Sequence, residues 1–436
     1  MKEQEGGLKA PKRNKIDWED PKFYDMEDLQ KELERVFDIC HGCRRCFNLC
    51  NAFPLMFDRI DEGKTGEIDG LVQKDYEDVA SNCTLCDMCY MVKCPYVPPH
   101  EFNVDFPHLM LRYKAILQRE GKMPKVPLEL ANIDRNYKAL SPLSKFLNWI
   151  NKEDNKITRP LMEKTLGIHQ KARIPQIASK TLIQSMPQDA VIKDKSKRKV
   201  AVYVTCFMNY NDTKTGKTLI KLLEHFGAEV KVFYPGCCGM PLFEQGQVEK
   251  VAEKALNVAT FFSPLIDEGF DVVSLVPSCS LMIKSEWPLL LPNEKLVLKL
   301  QQHSFDISEY LVKMIKELGA PSGLKPLKNE NVILHVACHV KAQNIGIKVV
   351  DLLKMIPNLE VSLIDRCAGH GGSWGMMVDH FDVAMKVGKP VFDKALALPG
   401  VVASECPLAK EHIDQGIEGK KRVVHPLELL AESYSL

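Results

Sequence analysis

Cys40-His41-Gly42-Cys43-Arg44-Arg45-Cys46-Phe47-Asn48-Leu49-Cys50 carries four cysteines in the spacing C-x2-C-x2-C-x3-C. An iron–sulfur cubane needs four thiolates at the corners of a tetrahedron. Three cysteines spaced by two residues wrap a short loop around one cluster, with backbone N–H groups able to point at the sulfurs, and the fourth thiolate comes from elsewhere. A second run follows: Cys83, Cys86, Cys89 and Cys94. Where two such runs share a chain, each supplies three ligands to one cluster and one to the other. Cys40, Cys43, Cys46 and Cys94 are thus expected to hold one [4Fe-4S] cluster, and Cys83, Cys86, Cys89 and Cys50 the second. The second run has one residue more than usual, Tyr90 to Lys93 lying between its last two cysteines, and Asn51 rather than Pro follows Cys50. A helical turn is expected to absorb the extra residue. Structural zinc, which commonly takes two separated C-x2-C pairs, fits two triple runs poorly. His41 reads as a backbone-bonding residue, and Arg44 and Arg45 as a solvated face.

The chain has 436 residues, with 58 basic against 57 acidic side chains and a net charge of +1. That balance argues against nucleic acid as a partner, because phosphate binding needs a surplus of Lys and Arg. The first fifteen residues are polar and charged, so no secretory leader is expected. No apolar run reaches the roughly 18 residues of a membrane-spanning helix. The expected location is the cytoplasm, with a peripheral position at the cytoplasmic membrane as the variant. In a reducing compartment, fifteen cysteines point to metal or redox chemistry rather than to disulfides.

Residues 1–35 read as a polar arm anchored by Trp18, Phe23 and Tyr24, and 36–107 as the ferredoxin-type dicluster domain. Residues 108–195 read as a connector of short helices broken by prolines, with a charged hinge at Lys193 to Lys199. Short β-rich runs then alternate with amphipathic stretches: Val200–Val204, Val230–Tyr234 and Val272–Val276, with helices near 215–226 and 247–262. The pattern repeats at Val332–Val336, Val361–Ile364 and Val401–Ala403. Cys206 corresponds to Cys338 at an offset of 132, Cys237 to Cys367 at 130, and Cys279 to Cys406 at 127. The expected fold is therefore multidomain α+β: a helical, ferredoxin-like dicluster domain followed by two α/β lobes, 196–327 and 328–436. Ligands should gather at the carboxyl ends of parallel strands.

The cysteines beyond those strands have their own signatures: Cys237-Cys238-Gly239-Met240-Pro241-Leu242, Ser278-Cys279-Ser280-Leu281, His335-Val336-Ala337-Cys338-His339 and Cys367-Ala368-Gly369-His370-Gly371-Gly372. Gly239 and Gly369 permit the tight turn that a close metal approach requires. In these motifs, and in layout from about residue 36 onward, the chain resembles the CCG, or cysteine-rich, domain proteins. That family includes the B and D subunits of heterodisulfide reductase and the C subunit of anaerobic glycerol-3-phosphate dehydrogenase. In heterodisulfide reductase each complete repeat supports a noncubane cluster that splits a disulfide. This chain departs from the complete repeat, with Val276, Ala403 and Ala368 at positions where the motif has Cys. The first lobe keeps Cys206, Cys237, Cys238 and Cys279, enough for a third iron–sulfur or other metal centre. The second keeps Cys338, Cys367 and Cys406, with His335, His339 and His370 as weaker candidates, and reads more readily as a degenerate repeat.

Gly216-Lys217-Thr218 is similar to the end of a phosphate-binding loop, but Asn211 stands where that loop needs Gly. Phe146-Leu147-Asn148-Trp149-Ile150 could touch a membrane surface and is expected instead to pack between domains. No flavin, nicotinamide or haem motif is visible, which places any hydride chemistry on another subunit. The resemblance implies an electron-transfer subunit carrying electrons from a partner flavoprotein dehydrogenase, of the glycerol-3-phosphate dehydrogenase type, toward quinone or another acceptor. Two rival readings are a disulfide reductase acting at Cys237-Cys238 and a scaffold whose degenerate lobes bind partner proteins.

Overall fold

The computed structural model describes residues 11–186 and 198–436, so most of the charged hinge lies outside the described residues. The polar arm is shorter than expected. Asp25 accepts hydrogen bonds from the backbone N–H groups of Glu27 and Asp28 and so opens helix α1, Met26–Cys43, which runs across residue 35 into the first cysteine motif. Leu29, Leu33, Val36 and Phe37 recur at helical spacing and form its buried face. Helices α2 (Ala52–Asp61) and α3 (Gln73–Ser81) pack against each other, and α4 (Phe106–Arg119) packs on α1 and α3. Four short helices follow: α5 (Lys125–Leu130), α6 (Ile133–Leu140), α7 (Ser144–Ile150) and α8 (Thr158–Leu166).

Two small parallel sheets make up the rest. Strands β1 (Arg198–Tyr203), β2 (Ala228–Phe233), β3 (Asp271–Ser274) and β4 (Ser304–Asp306) lie in the order β2-β1-β3-β4. Strands β5 (Asn331–His335), β6 (Glu360–Ile364), β7 (Val401–Ser404) and β8 (Val423–Val424) repeat that order as β6-β5-β7-β8. The central strands are continuous apolar runs because helices cover both faces of a parallel sheet, so every side chain of Val200 to Tyr203 is buried. One hydrophobic core runs from the N-terminal helices through the first lobe to one face of the second sheet, and the other face of that sheet has a separate cluster around Ile333, Val391 and Ile413. No described helix is long and apolar enough to cross a membrane.

This arrangement brings every cysteine beyond residue 200 to the carboxyl end of a strand. Cys206, Cys237 with Cys238, and Cys279 follow β1, β2 and β3; Cys338, Cys367 and Cys406 follow β5, β6 and β7. Strand order reverses beside β1 and β5, which opens a crevice at that end of each sheet.

Candidate metal centres

The eight N-terminal cysteines separate into two electrostatic groups. Burial, followed by the charges of Cys94, Cys46 and Cys43, raises the Cys40 thiol well above its ordinary value. Burial with Cys94 and Cys43 pushes Cys46 up to about 12. Cys50, which follows the first run, instead answers to Cys83, and burial plus that neighbour take it to about 12. Cys89 is raised by burial and then by Cys86, Cys83, Cys46 and Cys50. Cys94 thus stands with the first run and Cys50 with the second. The proximity of Cys89 to Cys46 puts the two groups side by side.

The loops that hold these thiols turn sharply. Arg44, Leu85 and Asp87 have φ of 49°, 50° and 62°, left-handed values that curl consecutive N–H groups toward a common centre. Backbone N–H groups of Ala52 and Phe53 bond the Cys50 sulfur, and those of Leu85, Met88 and Tyr96 serve Cys83, Cys86 and Cys94. The extra residue before Cys94 is taken up by one wide turn, Cys89–Lys93, in which the Cys94 N–H donates to the Cys89 carbonyl at 2.8 Å. Arg44 pairs with Asp61 at the surface, and His41 lies against its guanidinium.

In the first lobe Cys237 and Cys206 approach to 3.9 Å between sulfurs, and Cys238 lies close enough to Cys237 and Cys279 for both to raise its thiol, together with burial. Hydrogen bonds from Cys206 and Cys238 hold the Cys237 thiol well below its ordinary value. Gly239, at φ +85°, lets the chain turn directly after the pair, and its N–H reaches the Cys237 sulfur at 3.5 Å. Two residues that the sequence did not single out secure this group. Asp134 of α6 accepts from the Cys237 N–H at 3.0 Å and from the Tyr234 hydroxyl at 2.6 Å. Trp287, fully buried, donates its indole N–H to the Cys238 carbonyl at 3.1 Å.

The second lobe faces the second N-terminal group. Cys86 is influenced by Cys338 and Cys367 ahead of its own neighbour Cys50. Between them lies a cavity of about 700 Å³ lined by Cys50, Cys86, Cys338, Cys367 and Cys406, by Lys341, Arg366 and Glu244, and by apolar residues including Leu49, Met88 and Val336. The three candidate histidines differ. His335 accepts from Ser404 Oγ at 3.0 Å and donates through Nε2 to the Arg366 carbonyl at 3.1 Å. With both ring nitrogens engaged it is a satisfied core histidine, and burial holds it down to about 4. His370 accepts from the Gly372 N–H at 3.1 Å, which leaves Nε2 as the donor toward Cys406 Sγ at 3.7 Å. His339 bonds Ser278 Oγ at 2.8 Å through Nδ1, and its buried Nε2 has no partner.

Among the described residues no three donors converge on the position of a single ion. Four thiolates around one zinc, each about 2.3 Å from the metal, would do so.

Fifteen free cysteines thus gather in the two N-terminal loops and at the strand ends of both lobes. Residues 200–284, the first lobe from β1 past Cys279, match the CCG cysteine-rich domain, and the chain carries that domain. It is homologous to the C subunit of anaerobic glycerol-3-phosphate dehydrogenase from Escherichia coli (strain K12), with 28% identity over 283 residues, covering 64% of this chain and 70% of that protein. It also aligns with the B subunit of the fumarate reductase (CoM/CoB) of Methanothermobacter marburgensis, 26% identical over 54% of this chain and 47% of that one. An uncharacterized iron-sulfur protein of Methanocaldococcus jannaschii is 25% identical over 87% of this chain and 68% of its own length.

Proposed function

We propose that this chain is the iron–sulfur electron-transfer subunit of a redox complex. One [4Fe-4S] cluster is held by Cys40, Cys43, Cys46 and Cys94, and a second by Cys83, Cys86, Cys89 and Cys50. A further centre belongs to Cys206, Cys237, Cys238 and Cys279. Electrons enter from a partner flavoprotein dehydrogenase of the kind served by the glycerol-3-phosphate dehydrogenase relative, and leave toward quinone or another acceptor. What supports the reading is that Cys94 lies close enough to act on Cys40 and Cys46, and Cys83 close enough to act on Cys50. Thiolate ligation supplies one-electron chemistry with little change of geometry, while neighbouring charges and N–H···S bonds tune the potential.

The residues around the groups have definite tasks. Lys114, buried, donates to the Cys83 carbonyl at 2.6 Å and places a cation beside the second group. Asp134 and Trp287 fix the Cys237-Cys238 turn. Cys237 and Cys238 are each only 2% exposed, which supports a relay or resting centre there rather than direct attack on an external disulfide. The cavity beside Cys86 is the roomier route for an acceptor.

Purification without oxygen, with iron and sulfide counting and EPR during stepwise reduction, tests the proposal. About eight iron atoms from the N-terminal groups are expected, with additional iron if the first lobe is loaded, and a flavoprotein should co-purify. Zinc, or protein without acid-labile sulfide, would overturn it.

A further inference from the structure

Amphipathic helices in a folded chain turn apolar side chains inward and polar ones outward. Helix α7 departs from this at three positions. Asn148 points inward, pairing through its side-chain amide with the backbone N–H and carbonyl of Ile177 at 2.9 Å each. Phe146 and Trp149 stack on each other at 6.0 Å and are 56% and 53% exposed. The expectation that this aromatic stretch packs between domains is therefore not met. Helix α8 belongs to the same unit, because Thr158 Oγ1 donates to the Ile150 carbonyl at 2.6 Å and Asn155 to the Trp149 carbonyl at 3.2 Å. It adds Leu161, and Ile157 just before it is 80% exposed. Of eighteen large apolar side chains exposed among the described residues, seven fall between Leu140 and Leu166. Scattered exposed apolar residues are ordinary; this concentration is not.

The charge around the patch bears on what could cover it. Residues 138–171 carry seven basic and three acidic side chains, a net charge of +4 in a chain whose total is +1. Lys138, Lys145, Lys152, Lys156 and Lys164 are exposed and have no ion-pair partner among the described residues. Lysines beside Trp, Phe and Ile suit the boundary of an anionic bilayer, where apolar rings enter the acyl edge and ammonium groups stay among the phosphates. A protein partner would not by itself require this surplus of unpaired cations.

We infer that α7, α8 and their connection form a docking surface for an anionic lipid bilayer, on which the chain lies without crossing. The inference does not depend on the cluster assignments, since either can fail while the other stands.

The test is flotation of the full-length protein with vesicles of phosphatidylglycerol and phosphatidylethanolamine, against vesicles of phosphatidylcholine alone. Binding to the anionic vesicles is expected, weakening about tenfold as salt rises from 0.1 to 0.5 M. The triple variant Phe146→Ser, Trp149→Ser, Ile157→Ser should lose roughly a hundredfold in partition, and Lys145→Glu with Lys152→Glu and Lys156→Glu should bind little better. Iron content equal to wild type shows that these surface variants fold. Emission from Trp149, obtained by difference from Trp149→Phe, should shift to the blue on binding. No binding to anionic vesicles at low salt, or equal binding to both compositions, overturns the inference. So does a triple variant that still floats but no longer captures its flavoprotein, which would make the patch a protein interface.

Discussion

Arg13 lies in the arm that the sequence marks only as polar, yet its side chain is 10% exposed and touches three carboxylates. It donates to both oxygens of Asp87 at 2.8 Å, to both of Asp105 at 2.8 and 2.9 Å, and to Glu286 at 3.1 Å. Asp87 sits between Cys86 and Cys89, Asp105 caps α4, and Glu286 belongs to the first lobe. His108 closes the network onto Glu286 at 2.9 Å. Replacing Arg13→Met preserves most of the volume and removes, among the described residues, the one full-time cation from a group of two buried acids and one largely buried one. Breaking one side of a buried ion pair costs about 3–5 kcal/mol, chiefly because the remaining charge is left uncompensated. For a structural unit of 150–250 residues, that is a fall of roughly 10 °C in the unfolding transition. The arm itself should stay attached through the Ile16 N–H on the Leu289 carbonyl at 2.8 Å and the Trp18 indole on the Leu290 carbonyl at 2.8 Å. Oxygen-free calorimetry measures the loss, and hydrogen exchange at residues 84–90 shows whether the second cysteine loop loosens with it. Adding Glu286→Gln to Arg13→Met should restore about 1–2 kcal/mol, since neighbouring charges are not additive. An Arg13→Met protein within about 1 kcal/mol of wild type, or a double variant that loses the full sum, would refute the account.

Cys94→Ser should impair the cluster of Cys40, Cys43 and Cys46 and leave the other EPR signal intact, and Cys50→Ser should do the reverse; loss confined to the mutated run's own cluster would sink the crosswise scheme. His425 caps the last helix with a neutral ring, Nδ1 accepting from the Leu427 N–H at 3.2 Å. Burial holds it down to about 3, so the unfolded chain takes up the proton first, and its contribution is complete above about pH 6.5 and lost as pH falls toward 3. His425→Asn keeps the cap without this titration. The wild type should therefore lose about 1.4 kcal/mol more than the variant between pH 7.5 and 5.5, measured as the difference in transition temperatures. Gly369→Ala would drive a Cβ into the Ala384 carbonyl oxygen at a φ of +87°. It should cost more than about 2 kcal/mol and displace the helix Val378–Ala397, visible as a lowered transition and faster exchange in that helix.

Much of this was legible in the residues. The β runs read correctly because strands buried on both faces are apolar throughout, and the offsets between Cys206 and Cys338 and their fellows reflect two sheets of the same order. The extra residue before Cys94 went where a helical turn can take it. The histidines were beyond reach. His335 and His339 stand four apart in one motif, yet Ser404 and Arg366 satisfy the first, while the second keeps an unpartnered nitrogen. Nothing in the local pattern around Phe146 told an aromatic face packed inside from one left exposed, because both have the same periodicity.

Spacing along the chain therefore determined which thiols belong to which short loop and which strands they follow, because those are local relations fixed by backbone geometry. Only the tertiary structure set Arg13 among Asp87, Asp105 and Glu286, Asp134 over Cys237, and the second lobe against Cys86. Those contacts join residues between about 70 and 280 positions apart. Their partners are chosen by packing and by the need to compensate buried charge, and neither leaves a mark within any short stretch of sequence.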